Sequence, residues 1–244
     1  MRYIVVGAGS VGGTIGGALA EVGREVVLVA RGAHLGALQA SGLTLVTPSR
    51  RLRPSVRSVS GPAELELTAD DVLILAVKSQ DTLPLLAEWS SRPVRGGGIA
   101  GERLPLVCAQ NGVANEYGAL RYFERVYGVC VWLPATLAAP GVVVAEGVPG
   151  FGVLDLGRVG GAVADAGPVV SETADILAAE LTRAGFAAYA TRDVMPWKYG
   201  KLLQNLRNAV QAAFGLSSPT GAEAVYRLAK AEAEEVYRRA RAFA

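Results

Sequence analysis

The stretch VVGAGSVGG, residues 5–13, decides the fold of this chain. Its glycines fit the pattern G-x-G-x-x-G, directly after the apolar run YIVV and before a run of small residues typical of a helix. In such a unit the first glycine permits a tight turn, the second lets the backbone approach a pyrophosphate, and the third lets the helix pack near the strand. The alternative is a glycine-rich turn without a ligand. We predict a dinucleotide site at Gly7, Ala8, Gly9, Ser10, Val11 and Gly12.

Strand-like and helix-like segments alternate after this turn. Short β–α–β units of this kind imply a parallel sheet with helices on both faces, and therefore an α/β fold with a Rossmann-type domain. Residues 126–156 are rich in strand formers, and residues 171–184 form a capped amphipathic helix that ends at Gly185. The expected strands are EVVLVA, DVLILAV, LPLVCAQ and FAAYAT, with a hairpin or two short strands, LTLVTP and SVRSVS, around the basic run 50–53.

The pattern changes to helix alone after residue 193. Residues 194–214 and 221–244 have helical spacing, without further strands. This change predicts a domain boundary near Thr191, with a Rossmann domain over residues 1–191 and an all-helical domain over residues 192–244.

Composition excludes several classes of partner. The chain has 244 residues, 51% of them hydrophobic, and its 24 basic and 22 acidic residues leave a net charge of +2. That balance gives no reason to expect nucleic acid or an anionic membrane as the main partner. Cys108 and Cys130 lie in apolar runs and are expected to be buried and unpaired. With His34 as the one histidine, the usual zinc spacings are absent, so we expect no metal site.

Two uncharged segments resemble membrane signals. Residues 3–20 mimic a secretory signal but hold too many glycines, and residues 126–145 contain Pro134 and Pro140 and are better explained as two strands around a turn. We therefore predict a soluble, cytoplasmic protein.

The end of the second strand indicates which dinucleotide binds. An NAD-preferring site usually places an acid there to accept from the ribose 2′-OH, whereas this chain has Ala30 followed by Arg31. Arginine can pair with a 2′-phosphate in a forked geometry, which predicts NADP(H). The alternative is that Arg31 is a solvated charge. His34 lies near the same phosphate or is an ordinary residue of a short helix.

Two further polar residues follow buried strands. Lys78 ends one strand in LAVKSQDT, and Asn111 ends the next in CAQNGVANE. Ligands of open α/β sheets bind at the carboxyl ends of the strands, so both residues are candidates for contacts to the nicotinamide end or the substrate. The alternative for each is a strand-end residue in solvent.

The segment WKYGKLLQNLRNA, residues 197–209, carries an unusual polar stripe. As a helix it lines up Lys201, then Gln204 or Asn205, then Asn208 on one face. Amides beside a single lysine are typical of a polar pocket, although a wet surface would have the same spacing.

The series GAGSVG, ARGAHL, AVKSQDT, QNGVANE, ATLAAPGVV and KLLQN resembles the ketopantoate reductase family over nearly the whole chain. The resemblance implies an NADPH-binding Rossmann domain joined to a helical domain, with the ketone of a small 2-oxo acid reduced in the cleft between them. By the same resemblance Lys201 is the catalytic lysine and Asn205 binds substrate. The helical spacing adds Asn208 as a second candidate amide for the substrate. Lys78 matches a cofactor-contacting position, and Asn111 matches a position that contacts cofactor and substrate.

The sequence also departs from the family pattern. Lys198 is a rival for Lys201, Trp197 lies further from the lysine than is usual, and the family's next asparagine lies beyond Asn208. Family members continue into helices with a substrate-binding serine and glutamate, so the helical domain here is shortened. The charges of Glu232, Glu234 and Glu235 fit a solvated face. Truncation, a different substrate or a completing partner chain would each explain the shortening.

Three functions follow as hypotheses. The first is NADPH-dependent reduction of ketopantoate to pantoate, and the second is the same chemistry on another 2-oxo acid or an imine. The third is an NADP(H)-binding module that has lost catalysis. An incomplete helical domain would leave an apolar face uncovered, so we also expect a homodimer through the last two helices.

Overall fold

The computed structural model of the chain describes residues 1–160, 171–214 and 219–239. Its strands fall where runs of β-branched and apolar residues lie between turn residues, which is typical of buried strands. In chain order they are β1 (Arg2–Val6), β2 (Glu25–Val29), β3 (Thr44–Val46), β4 (Arg51–Leu52), β5 (Arg57–Val59), β6 (Asp71–Leu75), β7 (Leu106–Cys108), β8 (Val126–Trp132), β9 (Ala135–Ala139), β10 (Val142–Ala145), β11 (Val153–Val159) and β12 (Ala187–Ala190).

The described helices alternate with the strands of the first half and follow them at the end. The glycines at 23 and 185, both with positive φ, stand directly after helical segments as the sequence predicts. The helices are α1 (Ser10–Glu21), α2 (Gly32–Ser41), α3 (Thr82–Ser90), α4 (Ala100–Arg103), α5 (Asn115–Ala119), α6 (Glu172–Arg183), α7 (Met195–Phe214) and α8 (Pro219–Arg239), with 3₁₀ turns at Pro62–Glu64 and Ser79–Asp81.

The main sheet has eight strands in the order β12-β11-β8-β7-β6-β1-β2-β5. All neighbours from β8 to β5 pair in parallel, with β1 in register between β2 and β6. The expectation of a parallel sheet is wrong at one edge, because β11 runs antiparallel to β8. The chain returns from β8 to β11 through β9 and β10 of a second sheet, and an antiparallel neighbour needs no crossover helix.

Apolar side chains cover both faces of this sheet. Alternate residues of β1 point to opposite sides, so Tyr3 and Val5 join a cluster with α1 and α6, whereas Ile4 and Val6 join a cluster with α3 and α4. Cys108 and Cys130 are buried and unpaired, which confirms the sequence prediction. The α/β class and the helices on both faces are also confirmed.

A second, four-stranded sheet was not foreseen. Its order is β4-β3-β10-β9, and it packs over α1. Of the two strands predicted in residues 43–60, β3 belongs to this sheet and β5 to the main one. Residues 126–145 hold three strands instead of two, because Pro134 and Gly141 both interrupt the pairing.

The last two described helices pack against each other, and α7 also lies along β8. The predicted helix over 194–214 begins at Met195, and the predicted helix over 221–244 begins two residues earlier, with its last five residues outside the described part. Among the described helices, none is both long and apolar enough to cross a membrane.

Ser171, the expected cap of α6, makes no capping hydrogen bond. Its hydroxyl instead lies 3.1 Å from the Tyr127 hydroxyl, so a tertiary contact takes the place of the local one.

Candidate active site

The glycine-rich turn joins β1 to α1 with each glycine in a different role. Gly7 has φ +101°, a left-handed conformation that other residues rarely adopt. A Cβ on Gly12 would lie 2.0 Å from the Gly7 carbonyl oxygen, so only glycine fits where the helix passes the turn. Gly9 has nothing within 4 Å of the position its Cβ would take, which leaves the backbone open on that side.

The N-terminus of α1 provides donors beside that open position. The helix begins at Ser10, and no side chain caps it. The first N–H groups of a helix lack intrahelical partners and attract anions. Ser10 and Val11, the first residues of α1, are half-buried. Together with open Gly9, this turn fits the pyrophosphate of a dinucleotide.

A histidine that sequence reasoning left open fixes the back of the turn. The Gly141 N–H donates to His34 Nδ1 over 2.9 Å, so that nitrogen carries no proton. His34 Nε2 then donates to the Ala8 carbonyl over 2.7 Å. The neutral imidazole thereby joins α2, the glycine-rich turn and the β9–β10 connection.

The residues expected to select the cofactor lie at the carboxyl edge of the sheet. Arg31 follows β2, and its side chain is 85% exposed. Its Nη2 donates to Asp81 Oδ2 over 3.0 Å. Lys78 is exposed and directly precedes the 3₁₀ turn that carries Asp81. Sequence reasoning did not foresee the contact between Arg31 and Asp81.

Lys201 and Asn111 meet at the same edge. Lys201 Nζ donates to Asn111 Oδ1 over 2.7 Å and lies 5.1 Å from the centre of the Trp132 ring. Asn205, one turn along α7, lines the same small cleft as these two side chains. Asn208 is exposed and is not part of the cleft lining.

The surroundings of Lys201 change its acidity. Burial lowers the pKa of Lys201 below its ordinary value of 10.5, and the nearby charge of Lys198 lowers the pKa further, against an opposing effect of Cys130. A lysine with a lowered pKa gives up its proton more readily than a solvated one, which suits a general acid.

The rival lysine is fully engaged elsewhere. Lys198 is 4% exposed, and its ammonium lies 2.5 Å from Glu116 Oε1, 2.8 Å from the Gln110 carbonyl oxygen and 3.1 Å from that of Val129. These three acceptors use all three donors of an ammonium group. Lys198 therefore attaches α7 to the segment after β7, to the middle of β8 and to α5.

Glu116 is the partner that the sequence could not identify. Its side chain is fully buried, and burial raises its pKa, while Lys198 opposes that rise. A glutamate in QNGVANE reads as an ordinary loop or helix residue until α7 is known to lie against it.

A buried polar network shapes the loop that presents Asn111. Gln110 Nε2 donates to the Val77 carbonyl over 2.7 Å and to the Thr82 hydroxyl over 2.9 Å. Asn115 Nδ2 donates to the Asn111 carbonyl over 3.2 Å. The loops after β6 and β7 are thus bonded to each other, which holds Lys78 and Asn111 at neighbouring positions on the edge.

The chain is similar in sequence to known proteins over most of its length. The family described as Ketopantoate reductase PanE/ApbA matches residues 3–160. A 2-dehydropantoate 2-reductase from Mesorhizobium japonicum is 30% identical over 237 residues, covering 88% of this chain and 68% of the relative.

Solved structures share the fold. A PanE/ApbA family ketopantoate reductase from Ralstonia eutropha JMP134 is 28% identical with a TM-score of 0.78, covering 98% of this chain and 74% of that one. A ternary structure of D-mandelate dehydrogenase with NADH and anilino(oxo)acetate is 23% identical with a TM-score of 0.68, covering 84% of this chain and 61% of that one. At that identity the second likeness shows the fold alone.

The family match extends over more than half of the chain. The chain spans only part of the length of its relatives. It belongs to the ketopantoate reductase family, PanE/ApbA, a family of NAD(P)-dependent oxidoreductases.

Proposed function

We propose that the chain reduces a small 2-oxo acid to a 2-hydroxy acid with NADPH, and that ketopantoate, reduced to pantoate, is its substrate. The observation that carries this proposal is the contact of Lys201 with Asn111 in a cleft at the carboxyl edge of the sheet. A cation at that edge would stabilise the negative charge that develops on a ketone oxygen during its reduction.

The chain's own backbone would hold the cofactor. Gly7, Ala8, Gly9, Ser10, Val11 and Gly12 form the pyrophosphate cradle, with the open side of Gly9 as its floor. Arg31 would bind the 2′-phosphate, while Lys78 and Asn111 would lie toward the nicotinamide. When bound, NADPH supplies the hydride for the ketone carbon.

Lys201 is the proposed proton donor. Its ammonium would face the ketone oxygen, stabilise the growing negative charge and pass one proton from Nζ to that oxygen. Partial burial strengthens the electrostatic effect, since fewer water molecules screen the charge. Asn111 orients the ammonium in the free protein through the 2.7 Å hydrogen bond.

Asn205 is the proposed substrate-binding amide. It lies one helical turn from Lys201 on the cleft side of α7, from which it would bond the carboxylate or hydroxyl of the substrate. The expectation that Asn208 binds substrate rests on helical spacing alone, because Asn208 is exposed and outside the cleft lining.

The organisation of the protein is part of the proposal. Residues 1–191 form the cofactor domain and residues 192–244 the helical substrate domain, which associates with a second copy. Its support is the exposed apolar side chains of the last two helices, among them Trp197 and Leu228.

The decisive experiment follows the loss of NADPH absorbance with ketopantoate as substrate. We expect Lys201→Ala to abolish turnover, because a proton donor accelerates the reaction on the order of 100-fold or more. Its dissociation constant for NADPH should stay within about twofold of the wild type. Lys201→Arg, which keeps the charge but holds its proton, is the matched control and retains binding with slow turnover.

Two outcomes favour the alternatives. Turnover with a different 2-oxo acid or an imine, but not with ketopantoate, would change the substrate and keep the mechanism. Tight NADPH binding without turnover of any such substrate would indicate a binding module that has lost catalysis.

A further inference from the structure

An ion pair joins the two loops that flank the glycine-rich turn. Arg31 lies in the loop after β2, and Asp81 lies in the 3₁₀ turn after β6. In the sheet, β1 and its glycine-rich turn lie between these two strands. Arg31 Nη2 and Asp81 Oδ2 are 3.0 Å apart. Two strand spacings separate the loops, about 10 Å, so the pair reaches across the edge where a dinucleotide would enter.

The two partners differ in how firmly they are placed. Asp81 is 31% exposed and closes a 3₁₀ turn in which its own N–H donates to the Lys78 carbonyl over 2.9 Å. The Arg31 side chain is 85% exposed, so few neighbours restrain it. The carboxylate therefore has a fixed position, and the guanidinium is the group that can change partners.

We propose that Asp81 weakens the preference for NADPH over NADH by holding Arg31 in the free protein, so that Arg31 must exchange the carboxylate for the 2′-phosphate when NADPH binds. This inference rests on the proposed NADP(H) site. The carboxylate opposes binding twice, because it occupies the guanidinium fork and because it repels the phosphate dianion. NADH has no 2′-phosphate and escapes both effects.

The strength of the pair sets the size of the effect. Exposed ion pairs contribute little, so Arg31 can leave Asp81 without a large penalty. The chain would then bind NADPH, but with a smaller preference over NADH than Arg31 alone would give.

The test measures dissociation constants for NADPH and NADH by fluorescence or calorimetry on the full chain. Asp81→Asn should tighten NADPH binding about three- to fivefold, the equivalent of a weak exposed ion pair, and change NADH binding less than about twofold. Asp70→Asn is the matched control, because it removes the same charge from an exposed position before β6, at the opposite edge of the sheet. Neither constant should change in the control.

A second background tests the exchange itself. In Arg31→Ala the effect of Asp81→Asn on NADPH should shrink to within about twofold, since no guanidinium remains to be released and only the weak, solvent-screened repulsion of the phosphate is left. An equal gain in that background would show that Asp81 acts on the phosphate without Arg31, and would overturn the exchange.

Other results separate this inference from the cofactor proposal. One such result is that the wild type binds NADPH while Asp81→Asn shows the same ratio of NADPH to NADH dissociation constants. That result would overturn the role of Asp81 and leave the proposed cofactor site intact. Wild-type chain that binds neither nucleotide overturns both.

Discussion

Lys198 and Lys201 lie three residues apart on α7 and have different surroundings. Lys198 ends in a buried cage of oxygen atoms, whereas Lys201 reaches a cleft that opens to solvent. A buried, fully bonded ammonium cannot approach a substrate, so we assign it a structural role. The half-buried lysine keeps donors available for a ligand.

The acidity of Lys201 leads to a prediction on pH. The proton donor must be charged, and the charged form is present below its pKa and lost as pH rises through it. Because burial lowers that pKa below 10.5, turnover should fall at a less alkaline pH than an ordinary lysine would give. A pH profile of kcat/KM measures this.

Lys201→Arg provides the comparison for that profile. Arginine stays charged throughout the accessible range, so the alkaline fall should disappear from its residual activity. The same fall in wild type and variant would assign the titration to another group.

The buried ion pair leads to a prediction on stability. Lys198→Met leaves the Glu116 carboxylate buried without its partner and should lower the free energy of unfolding by about 3–5 kcal/mol. Losing the lysine also raises the already raised pKa of Glu116, so the folded form prefers a protonated carboxyl. The loss should therefore be larger at alkaline than at mildly acidic pH, as thermal melts would show.

The double variant Lys198→Met/Glu116→Gln is the control for this interpretation. It removes both charges together, so it should recover part of the lost stability. No recovery would mean that packing, and not the unpaired charge, causes the destabilisation.

At the scale of elements, the β1–turn–α1 unit contains one glycine that packing requires and another that the proposed ligand requires. A methyl group on Gly12 meets backbone 2.0 Å away, while one on Gly9 meets nothing of this chain within 4 Å. Packing within the chain therefore restricts Gly12, whereas the expected ligand restricts Gly9.

Alanine at each position tests this division. Gly12→Ala should lower the melting temperature by several degrees, the effect of about 1–3 kcal/mol of overpacking. Gly9→Ala should melt like the wild type and yet bind NADPH about tenfold or more weakly, because its methyl group enters the space proposed for the pyrophosphate. A Gly9→Ala variant with unchanged NADPH affinity would place the phosphates elsewhere.

At the scale of the whole molecule, the last two helices carry several exposed apolar side chains. Leu228 is 70% exposed and Val236 58%, both on α8. Several exposed apolar side chains on two paired helices suggest a candidate interface. A second copy of the chain is the partner we propose.

Light scattering at micromolar concentration tests the dimer. We expect twice the chain mass for the wild type and a shift toward the monomer for Leu228→Ser, which weakens apolar burial. Ile176→Ser makes the same kind of apolar-to-polar change at an exposed residue of α6 and should leave the mass unchanged. A monomeric wild type would contradict the proposal.

The sequence by itself determined the local units of this protein. The G-x-G-x-x-G turn, the alternation of buried strands and helices, and the polar residues at strand ends depend on near neighbours in the chain. Backbone freedom and burial period are local properties, so they can be read without knowing which segments meet. The roles assigned to individual side chains stay predictions.

Tertiary structure decided the pairings. It set β11 antiparallel to β8, divided β3 and β5 between two sheets, and brought Glu116 to Lys198 and Asp81 to Arg31. A pattern of apolar residues shows that a side chain is buried but does not name its partner, because the partner comes from a distant segment. For that reason the sequence identified Lys201 from the family resemblance, and only the folded chain showed why Lys198 is unavailable.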